Sequence, residues 1–176
     1  MERRKLAVIS VVVFGALMRF LPHAPNFLPL TAMALFAGSV SKSKWYAFLS
    51  IGGAMLLSDI FLGFHSTMPF VYLAMAITIL LGGAMLGTPD AKAPATVPVA
   101  GASLTSSLLF FIITNFGVWA TQTLYPKTVA GLIVCYTEAI PFFGNSIVSD
   151  LFYSFLLFGV VRVLERTSYS LSPQAV

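Results

Sequence analysis

Leu108-Leu109-Phe110-Phe111-Ile112-Ile113-Thr114-Asn115-Phe116-Gly117-Val118-Trp119 lies within a run from Val99 to Thr121 that holds no Lys, Arg, Asp or Glu. A helix needs about 20 apolar residues to cross a hydrocarbon core about 30 Å thick. This run meets that requirement, so it is read as a membrane span. Its neighbours repeat the pattern. Over the whole chain of 176 residues, 58% are hydrophobic and 9% charged, with mean hydropathy +0.92. Soluble domains carry roughly a quarter charged residues. The composition is that of one integral membrane domain covering 1–176, all-α and polytopic, with no room for a separate soluble domain.

Working outward from this span gives six transmembrane helices, at about 6–21, 30–40, 45–62, 69–86, 99–121 and 145–164. The segment Pro22-His23-Ala24-Pro25-Asn26-Phe27-Leu28-Pro29 holds three prolines and breaks regular helix. The run 30–40 that follows is too short to span, so either it begins earlier or the proline-rich segment dips into the protein. Pro69 suits a first helical turn. The stretch Gly87 to Pro98, with three prolines and Lys92, reads as a loop. Between Tyr125-Pro126-Lys127 and Pro141, the apolar stretch 129–140 reaches only about 18 Å at about 1.5 Å per residue. It reads as a short helix on the outer face, ended by Pro141. The N-terminal Met1-Glu2-Arg3-Arg4-Lys5 before an apolar run imitates a secretory signal, but no small-x-small cleavage site follows. A retained first helix is the reading, and a cleaved leader the alternative.

Charge sets the orientation. Of ten Lys and Arg, eight (Arg3, Arg4, Lys5, Lys42, Lys44, Lys92, Arg162 and Arg166) fall in gaps on one side of this topology, and only Arg19 and Lys127 on the other. Basic residues of short loops stay cytoplasmic. Both termini are therefore expected on the cytoplasmic side of the membrane. The net charge of +4 is spread over helix ends. It suits anionic headgroups and gives no nucleic-acid footprint.

The polar residues gather beneath the other leaflet: Arg19, His23, Asn26, Asp59, His65, Asn115, Trp119, Lys127, Cys135, Tyr136, Glu138, Asn145 and Asp150. Charges within the membrane face the bundle interior and find partners. The expectation is a polar pocket open to the outside over an apolar plug. Its substrate-binding residues would be Arg19, Asn26, Asp59, His65, Asn115, Trp119, Tyr136, Asn145 and Asp150. Asp150, the deeper carboxylate, is assigned Arg19 as its partner; the competing reading is an Arg19–Asp150 or Arg19–Asp59 pair that only locks helices. His23, His65 and Cys135 are weak metal candidates, because no ligand spacing joins them. Ordinary hydrogen-bonding histidines and a buried small hydrophobe are the stronger reading for these three. The small residues Ala32, Ala34, Gly38, Gly52, Gly53, Ala54, Gly82, Gly83 and Ala84 read as close helix packing. A lone cysteine excludes an internal disulfide. No catalytic motif, P-loop or nucleotide fingerprint is present, so no enzyme activity and no cofactor are expected, and transport would draw on a partner or an ion gradient.

Two sets of motifs carry a resemblance. The first is Asn26-Phe27 with Pro29 before Ala32-Met33-Ala34-Leu35-Phe36, then Leu57-Ser58-Asp59 with Gly63-Phe64-His65, and Met68-Pro69-Phe70. The second is Thr114-Asn115-Phe116-Gly117-Val118-Trp119, Tyr125-Pro126-Lys127-Thr128 with Gly131-Leu132, Cys135-Tyr136, Ile140-Pro141-Phe142-Phe143-Gly144-Asn145 and Asp150-Leu151-Phe152. Together they resemble the uncharacterised bacterial inner-membrane proteins grouped with the substrate-binding S components of energy-coupling-factor vitamin transporters. The resemblance implies a six-helix S-component-like fold with a ligand pocket near the extracellular face. Many S components dock a shared coupling subunit through an Ala-x-x-x-Ala surface on the first helix; here Leu6 to Gly15 lacks it. A solitary carrier, as for some vitamin B12 carriers of similar fold, is then the implied arrangement, with Cys135 as a soft ligand. The function expected is uptake of a small molecule: a vitamin, a cobalamin-like compound or a metal complex. The rival is a structural or assembly subunit of a membrane complex. The expected partners are the lipid bilayer, the small-molecule ligand and an energising or assembly subunit.

Overall fold

A computed structural model describes residues 2–87 and 94–170, with side chains described for 9–87 and 94–163. Within them the chain is all-helical. The six helices are α1 (Glu2–Met18), α2 (Leu30–Val40), α3 (Lys44–Leu62), α4 (Met68–Met85), α5 (Thr96–Thr121) and α6 (Val129–Ser170). Four of them, α3, α4, α5 and α6, are long and apolar enough to cross a membrane. Much of the outer surface is correspondingly apolar, with Trp45, Leu49, Phe61 and Val129 among its exposed side chains. Lys92 lies outside the described residues, as does most of the loop expected before Pro98.

Cross-contacts fix the directions. Asp150 meets Ser107, Ser154 meets Ser103 and Arg162 meets Thr96, so α6 runs antiparallel to α5. Leu28 meets Ser149 and Phe36 meets Phe158, so α2 runs along α6. Ser66 meets Thr121 and Phe70 meets Phe116, which turns α4 against α5. With Arg19, just past α1, paired to Asp59 near the end of α3, the start of α1 and the end of α6 lie at one end of the bundle, here the terminal end, with Lys42, Lys44 and Arg162. The loops 22–29, 63–67 and 122–128 form the opposite end, here the loop end, with Arg19 and Lys127.

The shortest helix is the most enclosed. Nine of the eleven residues of α2 are buried. α4 crosses it closely because glycine removes the side chains in the way. A Cβ on Gly38 would strike the Ile79 backbone carbonyl, and one on Gly82 would strike that of Leu35. Small residues let backbones approach this closely in lipid, where apolar burial gives little drive. Around α2 the core gathers Met33, Leu35, Phe36, Ile51, Met55, Ile79 and Phe158. The proline-rich segment does dip into the protein: Pro29 is fully buried ahead of α2, and its carbonyl accepts the Met33 N–H at 2.8 Å.

One boundary differs from the sequence reading. The stretch 129–140 and the helix at 145–164 are a single helix of 42 residues, with Pro141 inside it. Proline removes one bond to the carbonyl four residues back and crowds it, which in water usually ends a helix. Within a membrane bundle neighbouring groups compensate, so the helix continues. There is thus no separate outer-face helix. At about 1.5 Å per residue α6 is about 63 Å long, roughly twice the hydrocarbon thickness.

Candidate functional site

The polar residues towards the loop end collect in three groups, each built from a different combination of helices.

The first joins α1, α3 and α4. Arg19, just past α1, forms an ion pair with Asp59 of α3. It also donates to the Ser58 hydroxyl and, at 3.1 Å, to the Met55 carbonyl of the same helix. The other Asp59 oxygen accepts the Tyr72 hydroxyl at 2.7 Å. Asp59 is only 1% exposed. A carboxylate buried this deeply needs both a counter-charge and hydrogen bonds, and it has them. The expected Arg19–Asp150 pairing is not formed. Arg19 sits on the α3 side of α1, whereas Asp150 faces α2 and α5; similar depth along the bundle does not put two residues on one side of it.

The second group is a hydroxyl-rich seam between α5, α6 and the start of α2. Ser103, Ser106 and Ser107 occupy one face of α5 and are buried, as are Ser146, Ser149, Asp150 and Ser154 of α6. Ser107 donates to Asp150 at 2.6 Å. Thr31, in the first turn of α2, lies beside the same carboxyl. Above it, Ser149 donates to the Leu28 carbonyl at 3.0 Å, and Asn145 donates to that of Pro25 at 3.1 Å. These two bonds tie the proline-rich loop to α6. Asn26 turns that loop with φ 59°, in the left-handed region that asparagine tolerates better than most residues.

The third group clasps α5 to the beginning of α6. Lys127 donates to the carbonyls of Trp119 and Gln122 and so caps the end of α5, where unsatisfied carbonyls and the helix dipole favour a cation. Trp119 donates from Nε1 to the Pro126 carbonyl at 2.9 Å. Tyr136 donates to the Ile112 carbonyl at 2.6 Å, and Cys135 lies 3.4 Å from that of Asn115. The Asn115 side chain turns back to its own helix, at Phe111. Trp119 and Tyr136 are thus engaged with Phe116 and Phe111.

The histidines stand apart. His65 pairs with the Thr67 hydroxyl at 2.8 Å and His23 with the Ala24 carbonyl at 3.0 Å. Among the described residues no three His, Cys, Asp or Glu come together as a metal site. The nine expected substrate residues are therefore distributed among separate contacts, with Arg19 and Asp59 the one direct pair. Tyr72, Thr31 and Ser107 complete the two buried carboxylate sites, and the sequence reading passed over all three. The Ser103/Ser106/Ser107 spacing, three and four residues apart on one helical face, was the available signal. A distinct cleft of about 420 Å³ lies between α1 and α3, lined by apolar side chains such as Val12, Leu17, Leu49, Leu57 and Phe61.

No curated protein and no solved structure matches the chain. A family model matches residues 1–174, nearly its whole length, and the chain belongs to that family, the family of unknown function DUF6580.

Proposed function

We propose that this is a membrane protein for the uptake of a small molecule, entered from the loop end and recognised beneath loop 22–29. The observation that carries the reading is Asp150, a carboxyl only 3% exposed in a membrane-length helix, held by hydroxyls. Residues that only lock helices are paired like Arg19 and Asp59. An ionisable group kept in the membrane interior without a counter-charge points to transported cargo or a coupling ion. The exposed part of the loop above it, 22–26, is held to α6 by the Asn145–Pro25 hydrogen bond, while Phe27 and the buried Pro29 keep its far end seated, so opening is confined to that exposed part. The resemblance of the motifs to S components supports the same reading, with a vitamin, a corrinoid or a metal complex as cargo. In this reading the loop end faces outward and both termini are cytoplasmic.

The test is ligand-dependent stabilisation of the purified protein against water-soluble vitamins, corrinoids and metal complexes. A cognate solute at one hundred times its Kd stabilises by about 2.7 kcal/mol. A rise in Tm that is lost in Asn145→Ala, which frees the loop, supports uptake; unchanged melting across all three classes counts against it.

The second reading, a structural or assembly subunit, is favoured by the third group, where Trp119, Tyr136 and Lys127 are all spent on α5–α6 contacts, and by the apolar cleft between α1 and α3. It predicts that substitutions in the cleft, such as Gly53→Leu, abolish function while Asn145→Ala is neutral.

A further inference from the structure

The bundle buries two carboxylates on different terms. Asp59 has the Arg19 guanidinium against it. Asp150 has hydroxyls beside it: Ser107 of α5, donating at 2.6 Å, and Thr31 of α2 close by. The surroundings of Asp150 are unusual for what they lack. The helices packed against this part of α6 are α2 and α5, and neither Leu30–Val40 nor Thr96–Thr121 contains one ionisable side chain. On α6 itself the nearest titratable group is Tyr153, a buried phenol whose ring rests against Phe14 and Phe27. Glu138 and Arg162 lie twelve residues to either side, about 18 Å along the helix. Loop 22–29 brings His23, which is exposed and bonded to Ala24. From α1 the nearest cation is Arg19, committed to Asp59.

Among the described residues, an ionised Asp150 would therefore sit in a low-dielectric interior facing donors but no charge. Two hydroxyls partly solvate an anion; they do not replace water or a cation. The same hydroxyls suit the neutral acid equally well, because its carbonyl oxygen accepts from Ser107. We infer that Asp150 is a proton-binding site of the membrane interior, neutral while α2 and α5 enclose it and able to release its proton when loop 22–29 parts from α6 and admits water. The balance is simple. Oδ2 accepts from Ser107, the bound proton sits on Oδ1, and it passes to and from water at the loop end, about 8 Å away along α6 at the level of Asn145. The chain has no nucleotide-binding motif, so such a site would let an ion gradient drive movement of solute; that role, though not the proton site itself, rests on the uptake reading.

The experiment is infrared difference spectroscopy of the full chain in lipid nanodiscs at about pH 7, where exposed carboxyls are already ionised, with the spectrum of Asp150→Asn subtracted from that of the parent. The expected result is a protonated-carboxyl C=O band that survives at neutral pH and is missing in Asp150→Asn. In Ser107→Ala, which keeps the acid and loses one donor, the band moves to higher frequency. If Asp150→Asn does not fold, the Ser107→Ala displacement alone decides the assignment. A spectrum with no such band, or a band unmoved in Ser107→Ala, overturns the proposal. A band erased when sodium replaces choline overturns it in favour of a metal-cation site. Solute binding is read separately by melting, so a missing band leaves uptake standing, and unmoved melting leaves the proton site standing.

Discussion

Arg19 and Asp59 show what a buried charge requires in this bundle. Removing one partner strands the other, and breaking such a pair costs about 3–5 kcal/mol. Arg19→Met is expected to lower stability by that amount in reversible unfolding from mixed micelles, and the double variant Arg19→Met, Asp59→Leu to recover most of the loss. If the double variant is no better than the single one, the pair is not what holds α1 to α3. Tyr72→Phe removes a hydrogen bond to a charged acceptor and is expected to cost about 1.5–3 kcal/mol in the same assay. At this scale the sequence was half legible. Arg19, Asp59 and Asp150 are conspicuous because charge is rare in an apolar chain. Their partners are not conspicuous, since Tyr72, Thr31 and Ser107 are ordinary residues of spanning helices. Depth along a helix can be read from residue number; the direction in which a side chain points around the bundle depends on packing, which is why Arg19 was assigned to the wrong acid.

Between elements, the contact of α2 with α4 is the one that tolerates least. A methyl at Gly38 would be driven into the backbone at Ile79, which cannot rotate away. Gly38→Ala is expected to destabilise by about 1–3 kcal/mol through overpacking. Gly53→Ala, whose Cβ would enter open space, is the control; it should match or exceed the parent, since alanine favours helix by up to about 1 kcal/mol. Both are read as shifts in Tm. Pro141 belongs to this scale too. Restoring its N–H in Pro141→Ala is expected to leave α6 continuous and its melting temperature equal or higher; a large loss would mean that the helix needs a bend there. Five of the six helices were legible to within a few residues, because hydropathy and proline mark their ends. The exception was the start of α6, where a rule learned from helices in water was applied to one supported by neighbouring helices.

For the molecule as a whole, the alternation of six helices brings the start of α1 and the end of α6 to one face. Reporter fusions at Met1 and Val176 are expected to give the same compartment, and from the lysine and arginine bias that compartment is expected to be the cytoplasm. Opposite answers from the two fusions would break the topology. The overall helical architecture was legible because apolar length and charge bias act along the chain. The site was less so, because it depends on which faces meet.

The enclosure of α2 has a consequence for how the protein is made. This helix is about 17 Å long, too brief to hold itself across a bilayer, and it emerges from the ribosome before α4, α5 and α6 exist. Whatever shelters it in that interval is provisional: the translocon, the lipid surface or α1 alone. A nascent chain halted after Met85 should therefore already hold α2 in place, whereas one halted after Leu62 should leave it accessible to water-soluble thiol reagents at an engineered cysteine.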